Sequence, residues 1–445
     1  MAKKKVEELT IEEKLNNALI PVDKQPYEIP KNWCWVRLEA IGNLISGQDV
    51  DIKKCNKNKI GLPYLMGASN LNDNIFIPER WIENPEVVSF KDDILISVKG
   101  TIGKIYYQKE EKINISRQIM AIRSFDFIKS NYLYYFLHII SNELKILGRG
   151  LIPGIRRRDI LNHSFPLPPL AEQERIVNKL DNYISKLNEA KEKLEKVVDT
   201  YEFRKYVILH KAFKGELTKN WRKENNISFD NWQNLPISNL CNSLKYGTSK
   251  KSQKSGKVVV LRMGNIQNGE IDWNDLQFTD DLEDIKKYSL NKGDVLFNRT
   301  NSSELVGKTA IYRGEYPAIY AGYLIKLDYK KDLIIGDYLN YILNSIKAKY
   351  YCKCVKTEGV NQANINARRI GAFIIPLPPL EEQKEIVKIL DSILSKEKQV
   401  KEIAEKEIER VEDLKKNLLT RAFGGILGTN DPNEENSIEL LKTVL

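Results

Sequence analysis

The phrase PLPPLAEQERIV, Pro166–Val177, returns as PLPPLEEQKEIV at Pro376–Val387, a shift of 210 residues. The copies stay in register to KAFKGEL, beginning at Lys211, and RAFGGIL, beginning at Arg421. A period of this length is neither a solenoid nor a propeller repeat. It marks a duplicated half-protein, so any fold for the chain must be built twice from similar parts. The duplication reaches further back. IPKNWCWVRLEAIGNLISG ends at Gly47 and FDNWQNLPISNLCNSLKYG ends at Gly247, which pairs Trp33 with Trp232 and Gly47 with Gly247. YLMGASNLNDNIF is similar to VLRMGNIQNGEID, and FKDDILISVKGTIGKI to LNKGDVLFNRTNSSELVGKTAI.

A long helical pattern follows each proline phrase. Ile176, Leu180, Tyr183, Leu187, Ala190, Leu194, Val197 and Tyr201 recur in alternating steps of four and three. Ile386, Leu390, Ile393, Val400, Ala404, Val411, Leu414 and Leu418 fit the same frame, with Glu397 and Glu407 interrupting it. A stripe of period 3.5 is a coiled-coil seam and needs a partner. The economical partner for each stripe is the other, in an antiparallel intramolecular coiled coil. Rods of about forty residues would then be roughly 60 Å long, with the globular regions at opposite ends about a pseudo-twofold axis. The prolines, which donate no backbone hydrogen bond and hold the preceding residue extended, predict a rigid elbow into each helix. Glu172 and Glu174, or Glu381 and Glu382, lie in the first turn, where acidic groups favour the helix dipole.

The globular regions carry mixed signals. DILISV, DVLFN and KVVVLRM read as short strands, and Asn268–Gly269 as a tight turn. Asn131–Leu147 and Gly336–Tyr351 read as helices whose aromatic faces are core. The predicted class is α+β, with two similar globular domains separated by two long helices. The expected divisions are a helical segment at 1–29, in which Val6, Leu9, Leu15 and Leu19 share a face; a first domain at 30–165; a helical spacer at 166–225; a second domain at 226–375; and a helical spacer at 376–445.

A net charge of +10 favours a polyanionic partner. Five cysteines, an odd number in a long chain, point to reduced thiols and a cytoplasmic address. No run of eighteen apolar residues predicts a membrane span, and the lysine-rich start is not followed by the apolar core of a secretory signal. Cys352 and Cys354 lack metal-ligand spacing, so no metal is expected. His138, His163 and His210 stand in no nucleophile motif. VGKTA, Val306–Ala310, has the end of a phosphate loop, but Ser302 occupies the position of its first glycine. No catalytic residue is assigned.

Basic charge, duplication and stiff spacing fit DNA. Lysine and arginine neutralise phosphates, polar side chains read base edges, and two unlike readers at a set separation would recognise a split, asymmetric site. The tandem order of globular region, PLPPLAEQERIVNKLD, helix, globular region, PLPPLEEQKEIVKILD, helix resembles the specificity subunits of type I restriction–modification systems. EGVNQANINARRI, Glu358–Ile370, is similar to the family's approach to the proline phrase, whereas RGLIPGIRRRDI, Arg149–Ile160, departs from it. The resemblance implies two target recognition domains on double-stranded DNA and helical regions that dock two methyltransferase subunits, which two restriction subunits can join. It also implies that the chain carries no chemistry or cofactor, with S-adenosylmethionine, ATP and Mg²⁺ used by the partners in DNA methylation and phage defence. The expected DNA-binding residues in the first domain are Ser97, Lys99, Thr101, Lys104, Arg117, Gln118, Arg156, Arg157 and Arg158. In the second they are Arg262, Asn265, Gln267, Asn298, Arg299, Thr300, Asn301, Lys308, Gln362, Asn364 and Arg368. The competing readings are a methyltransferase or nuclease with divergent motifs and a coiled-coil adaptor that binds only proteins.

Overall fold

The computed structural model describes residues 10–72, 75–359 and 362–444. The chain forms two compact units, Met1–Lys193 with Glu407–Leu445, and Leu194–Lys406. This division cuts through both long helices instead of setting them apart as spacers. The reason is burial: Ile176, Leu180, Ala422 and Phe423 belong to the core of the first unit, and Ile386, Leu390, Leu209 and Ala212 to that of the second.

Each unit repeats one sheet plan. In the first, a four-stranded antiparallel sheet runs in the order Ile105–Tyr107, Ile94–Ser97, Ile119–Ser124, Gly42–Ser46. A second, five-stranded sheet holds Leu62–Leu65 parallel to Lys112–Ile115. In the second unit the order is Thr309–Ile311, Val295–Asn298, Leu324–Tyr329, Cys241–Tyr246, beside a sheet with Val258–Leu261 parallel to Ala318–Tyr320. The paired glycines explain themselves here. A Cβ on Gly47 would stand 2.2 Å from the Ser116 carbonyl oxygen, and one on Gly247 2.1 Å from that of Tyr320. Only glycine lets the backbone cross so closely. Asn268 and Gly269, with φ of 53° and 89°, form the two-residue turn between Ile266–Gln267 and Glu270–Ile271.

The proline phrase is both strand and clamp. Ser164–Leu167 pairs with Cys34–Arg37, and Ile374–Leu377 with Gln233–Pro236. These two-stranded ribbons tolerate proline at their edges. Glutamine then ties the first turn of each helix to the loop before the aromatic helix. Gln173 accepts from Lys129 N (2.9 Å) and donates to Phe127 O (3.1 Å); Gln383 accepts from Ile335 N (2.9 Å) and donates to Leu333 O (2.9 Å). The preceding glutamates do more than favour a dipole, because both are buried. Glu172 accepts from the Trp33 indole (2.6 Å), Thr429 (3.1 Å) and Asn430 (2.8 Å). Glu382 accepts from the Trp232 indole (2.8 Å), Thr218 (2.7 Å) and Arg222 (2.5 Å). The matched tryptophans thus share one function: each is a donor to the start of a long helix.

The helices depart from their expected form in three places. The first runs Leu170–Asp199, turns at Thr200 and resumes as Tyr201–Phe213, whereas the second is continuous over Leu380–Phe423. Gly336–Tyr351 is two helices, Gly336–Leu343 and Ile346–Val355, because Ser345 caps the second by accepting from Ala348 N. At the amino end the helix covers Ile11–Ala18, with a Thr10–Glu13 capping box; Val6 and Leu9 lie outside the described residues.

Within each unit the helical pieces run antiparallel. Lys179 donates to Gly428 O and Lys191 pairs with Glu412 in the first; Arg204 pairs with Glu397 in the second. Along the assigned seam, Ile176, Leu180, Ile386, Leu390, Ala404 and Val411 are buried, and Leu187, Leu194, Val197, Ile393 and Leu418 are half-buried. Tyr183, Val400 and Leu414 are exposed, which corrects their placement in the seam. A straight helix drifts about 20° per heptad from a 3.5 repeat, so Ile184 takes the inward place expected of Tyr183. Glu397 is no interruption, since Arg204 meets it at 2.8 Å.

Candidate nucleic-acid interface

The two halves build the same backbone junction. Ser97 ends a core strand and Val98 follows, bonded on one side to Gln118 O through its N–H (2.8 Å) and on the other to Ile155 N through its carbonyl (3.0 Å). Asn298 ends the matching strand. Arg299 then bonds to Tyr323 O (3.0 Å) and accepts from Ile365 N (2.9 Å). Three remote segments therefore meet in each half. In the first half they carry Lys99, Gln118 and Arg156–Arg158. In the second they carry Arg299–Asn301, Tyr323 and Asn364–Arg368.

Several expected DNA ligands are consumed by building this junction. Ser97 is fully buried: its hydroxyl donates to Thr101 O (2.7 Å) and accepts from Lys104 N (2.9 Å). Asn265 is buried and bonds to Arg262 N, Asp272 O and Asn274 O. Asn298 is buried with its amide on Met263 O (3.4 Å), and buried Thr300 donates to Asn364 (2.6 Å). These four are placed in the scaffold. Ser97, Asn265 and Asn298 satisfy backbone groups where the chain turns sharply, and Thr300 holds the Asn364 side chain.

Others are only partly available. Arg117 pairs with Asp49 (2.6 Å), Arg262 with Asp275 (3.0 Å), and Arg157 donates to Ser46 Oγ and Leu44 O. Lys104 donates to Leu71 O, and the Asn301 side chain accepts from Ser302 N. Lys308 donates to Gln267 (2.8 Å); burial, followed by the nearby charge of Lys349, lowers its pKa. Thr101, Gln118, Arg156, Arg158, Gln362 and Arg368 present exposed side chains, and Lys99 is half-buried.

Arg299 is the most constrained of the set. Its guanidinium lies 4.9 Å from the Tyr246 ring centroid, one nitrogen donates to Gly322 O (3.4 Å), and Nε is buried without a partner. The Tyr246 hydroxyl accepts from Ala367 N (3.0 Å), so ring and guanidinium brace the junction together. Sequence reading missed Tyr246, Tyr323 and Asp49. Tyr246 directly precedes the matched Gly247, and Asp49 follows two residues after Gly47, which are the signals available for them. The VGKTA segment is no phosphate loop: Gly307 packs against Cys352, and a strand, Thr309–Ile311, follows where a helix would be required.

One junction made twice, with Val98 in one copy where the other has Arg299, defines a tandem recognition protein whose halves share a scaffold and differ in what they display. The model of the type I restriction modification DNA specificity domain matches residues 30–199 and again residues 230–410, and the chain belongs to that family. It is 26% identical over 425 residues to the type I restriction enzyme EcoKI specificity subunit of Escherichia coli K12, covering 90% of each chain. It is 34% identical over 201 residues to the putative MjaX specificity subunit of Methanocaldococcus jannaschii, covering 44% of this chain and 46% of that one. Among solved structures, the HsdS subunit from Thermoanaerobacter tengcongensis has a TM-score of 0.58 at 20% identity, covering 91% of this chain and all of that one. A chain solved in work on complex assembly and conformational transition of the type I R-M system has a TM-score of 0.71 at 19% identity, covering 90% of this chain and all of that one. These two establish likeness of fold. Among the described residues no helix is long and apolar enough to cross a membrane.

Proposed function

We propose that this chain is the non-catalytic DNA-specificity subunit of a type I restriction–modification complex, reading a split and asymmetric site with its two recognition domains. The observation that carries the proposal is the repeated junction. Its backbone bonds are the same in both halves, while the exposed groups differ: Thr101, Gln118, Arg156 and Arg158 in one, Gln362 and Arg368 in the other. Shared scaffolds with unlike polar displays suit two unlike half-sites. Methyl transfer, ATP hydrolysis and cleavage belong to partner subunits. Two methyltransferase subunits dock on the helical regions and two restriction subunits can join, with S-adenosylmethionine, ATP and Mg²⁺ bound by those partners. The complex works in the cytoplasm, where its DNA lies.

Methylome sequencing of host DNA with this chain present and deleted tests the proposal. A split motif methylated only in its presence is expected. An unchanged methylome in cells that make the methyltransferase partner would overturn it, and turnover by the purified chain alone would favour an enzyme.

A further inference from the structure

The loop that closes the first junction carries an exposed apolar tip. Arg149 and Gly154 exchange both backbone hydrogen bonds, each 3.1 Å, closing a hairpin whose tip is Gly150-Leu151-Ile152-Pro153. The hairpin is braced from beneath, because Gly100 N donates to Pro153 O (2.8 Å) and Ile155 N to Val98 O (3.0 Å). Gly150 takes φ of +96°, a conformation that favours glycine and turns the tip outward. On this braced tip Leu151 is fully exposed, at 106% of its reference area, and Ile152 is 65% exposed. A single exposed leucine is ordinary. Two adjacent large apolar side chains held on a rigid projection are not what a free loop would select.

Their surroundings name the partner. Residues 145–158 hold one lysine and four arginines and no acid. The next acid, Asp159, turns inward, accepting from Arg156 N (2.7 Å) beside Arg149 (3.7 Å). Lys99 bridges to Gly154 at the hairpin base. An apolar tip flanked in the chain by basic residues, of which Arg156 and Arg158 are exposed, is complementary to a duplex, with phosphates outside and stacked base faces within. A protein partner's apolar groove would not call for this many like charges beside it. Apolar side chains of this kind can enter a base step and unstack it while neighbouring cations hold the backbone.

We propose that Leu151 and Ile152 form a wedge that enters a base step within the half-site read by the first domain, unstacking it. This rests on the DNA-specificity reading and adds a deformation component to it: preference for an easily unstacked pyrimidine–purine step at a position with no hydrogen-bond readout.

The test uses the full-length chain assembled with its methyltransferase subunits. The DNA probes are duplexes of its methylated motif with 2-aminopurine, which pairs with thymine, replacing each adenine in and beside the first half-site in turn, outside the methylated base. A rise in fluorescence is expected at one step of the first half-site on binding, because unstacking removes the quenching by neighbouring bases. It should vanish in the Leu151→Ser, Ile152→Ser double variant and persist in Leu151→Met, Ile152→Met. The serine variant, altered only at exposed positions, should keep the wild-type hydrogen-exchange pattern and salt slope. If the wild-type complex binds its motif and no step brightens, or if brightening survives the serine changes, the wedge is refuted and the specificity reading stands. If the serine variant loses affinity only at a thymine with no change in stacking, a methyl contact replaces the wedge. If the wild-type complex fails to distinguish its motif from other DNA, the specificity reading fails and the wedge with it.

Discussion

Replacing Glu382 by alanine should unlock one unit and leave the other intact. Its carboxylate is fully buried and receives the Trp232 indole, the Thr218 hydroxyl and Arg222, whose side chain is 10% exposed. Arg222 is further enclosed by Phe229, 5.0 Å from its guanidinium carbon, and by Trp232 at 5.9 Å; it also donates to the Thr218 hydroxyl at 2.9 Å and to Gly215 O at 2.7 Å. Removing the acid leaves a nearly buried cation without its counter-charge. Breaking a buried pair from one side costs about 3–5 kcal/mol, and losing the acceptor for the indole adds to that cost. Hydrogen exchange followed by mass spectrometry suits a chain of two units, where a single melting temperature is poorly defined. At about 1.4 kcal/mol per factor of ten, opening of residues 214–236 should rise by about two to four orders of magnitude. Residues 29–37 and 427–436, which surround Glu172 in the first unit, should exchange as in the wild type. An increase below about tenfold, or an equal increase around Glu172, would refute the argument that this acid is a local lock on the second unit.

Four further outcomes are expected. Leu180→Asp, at a fully buried position, loses apolar burial and introduces an unpaired charge, costing several kcal/mol; chemical denaturation should show it, and wild-type stability would mean that the site is not enclosed. Arg368→Ala, at an exposed position of the second junction, should relax reading of one half-site by about 1–3 kcal/mol, checked by binding to a library of variant sites; equal loss on unrelated sequences would mark a phosphate contact. The logarithm of the assembled complex's DNA affinity should fall linearly with the logarithm of salt concentration, and a flat response would remove the basic surface from the interface. Burial pushes the thiols of Cys34, Cys241 and Cys352 from 9.0 up to about 12. Their folded pKa values are raised, so the stability they contribute is complete below pH 9 and is lost as pH climbs towards 12. Denaturation midpoints should fall across that window, and exposed Cys354 should react with a thiol reagent before the three buried ones.

Much of this architecture was legible in the chain because it is written twice. The offset of 210 residues pairs the glutamates, glutamines and prolines, and the matched tryptophans pair their donors, so a repeated clamp could be expected even though its bonds could not. Strands such as Ile94–Ser97 and Val295–Asn298 stood out because fully buried strands are runs of apolar residues. The interface residues were harder to sort. Ser97, Asn298 and Thr300 have the composition of DNA ligands and the duty of turn scaffold. A hydroxyl or amide looks the same in sequence whether it faces a base or its own backbone.

Sequence alone determined the duplication, the α+β class, the two apolar stripes that each need a partner, and the net positive charge. These follow from local periodicity and from composition, which survive without knowledge of distant contacts. Only the tertiary structure decided that the long helices are shared out between the units, that Glu172 and Glu382 are buried, and that Leu151 and Ile152 stand exposed among arginines. Each of these depends on which remote segment comes to lie beside a residue, and that is a property of the folded chain and not of its neighbours in sequence.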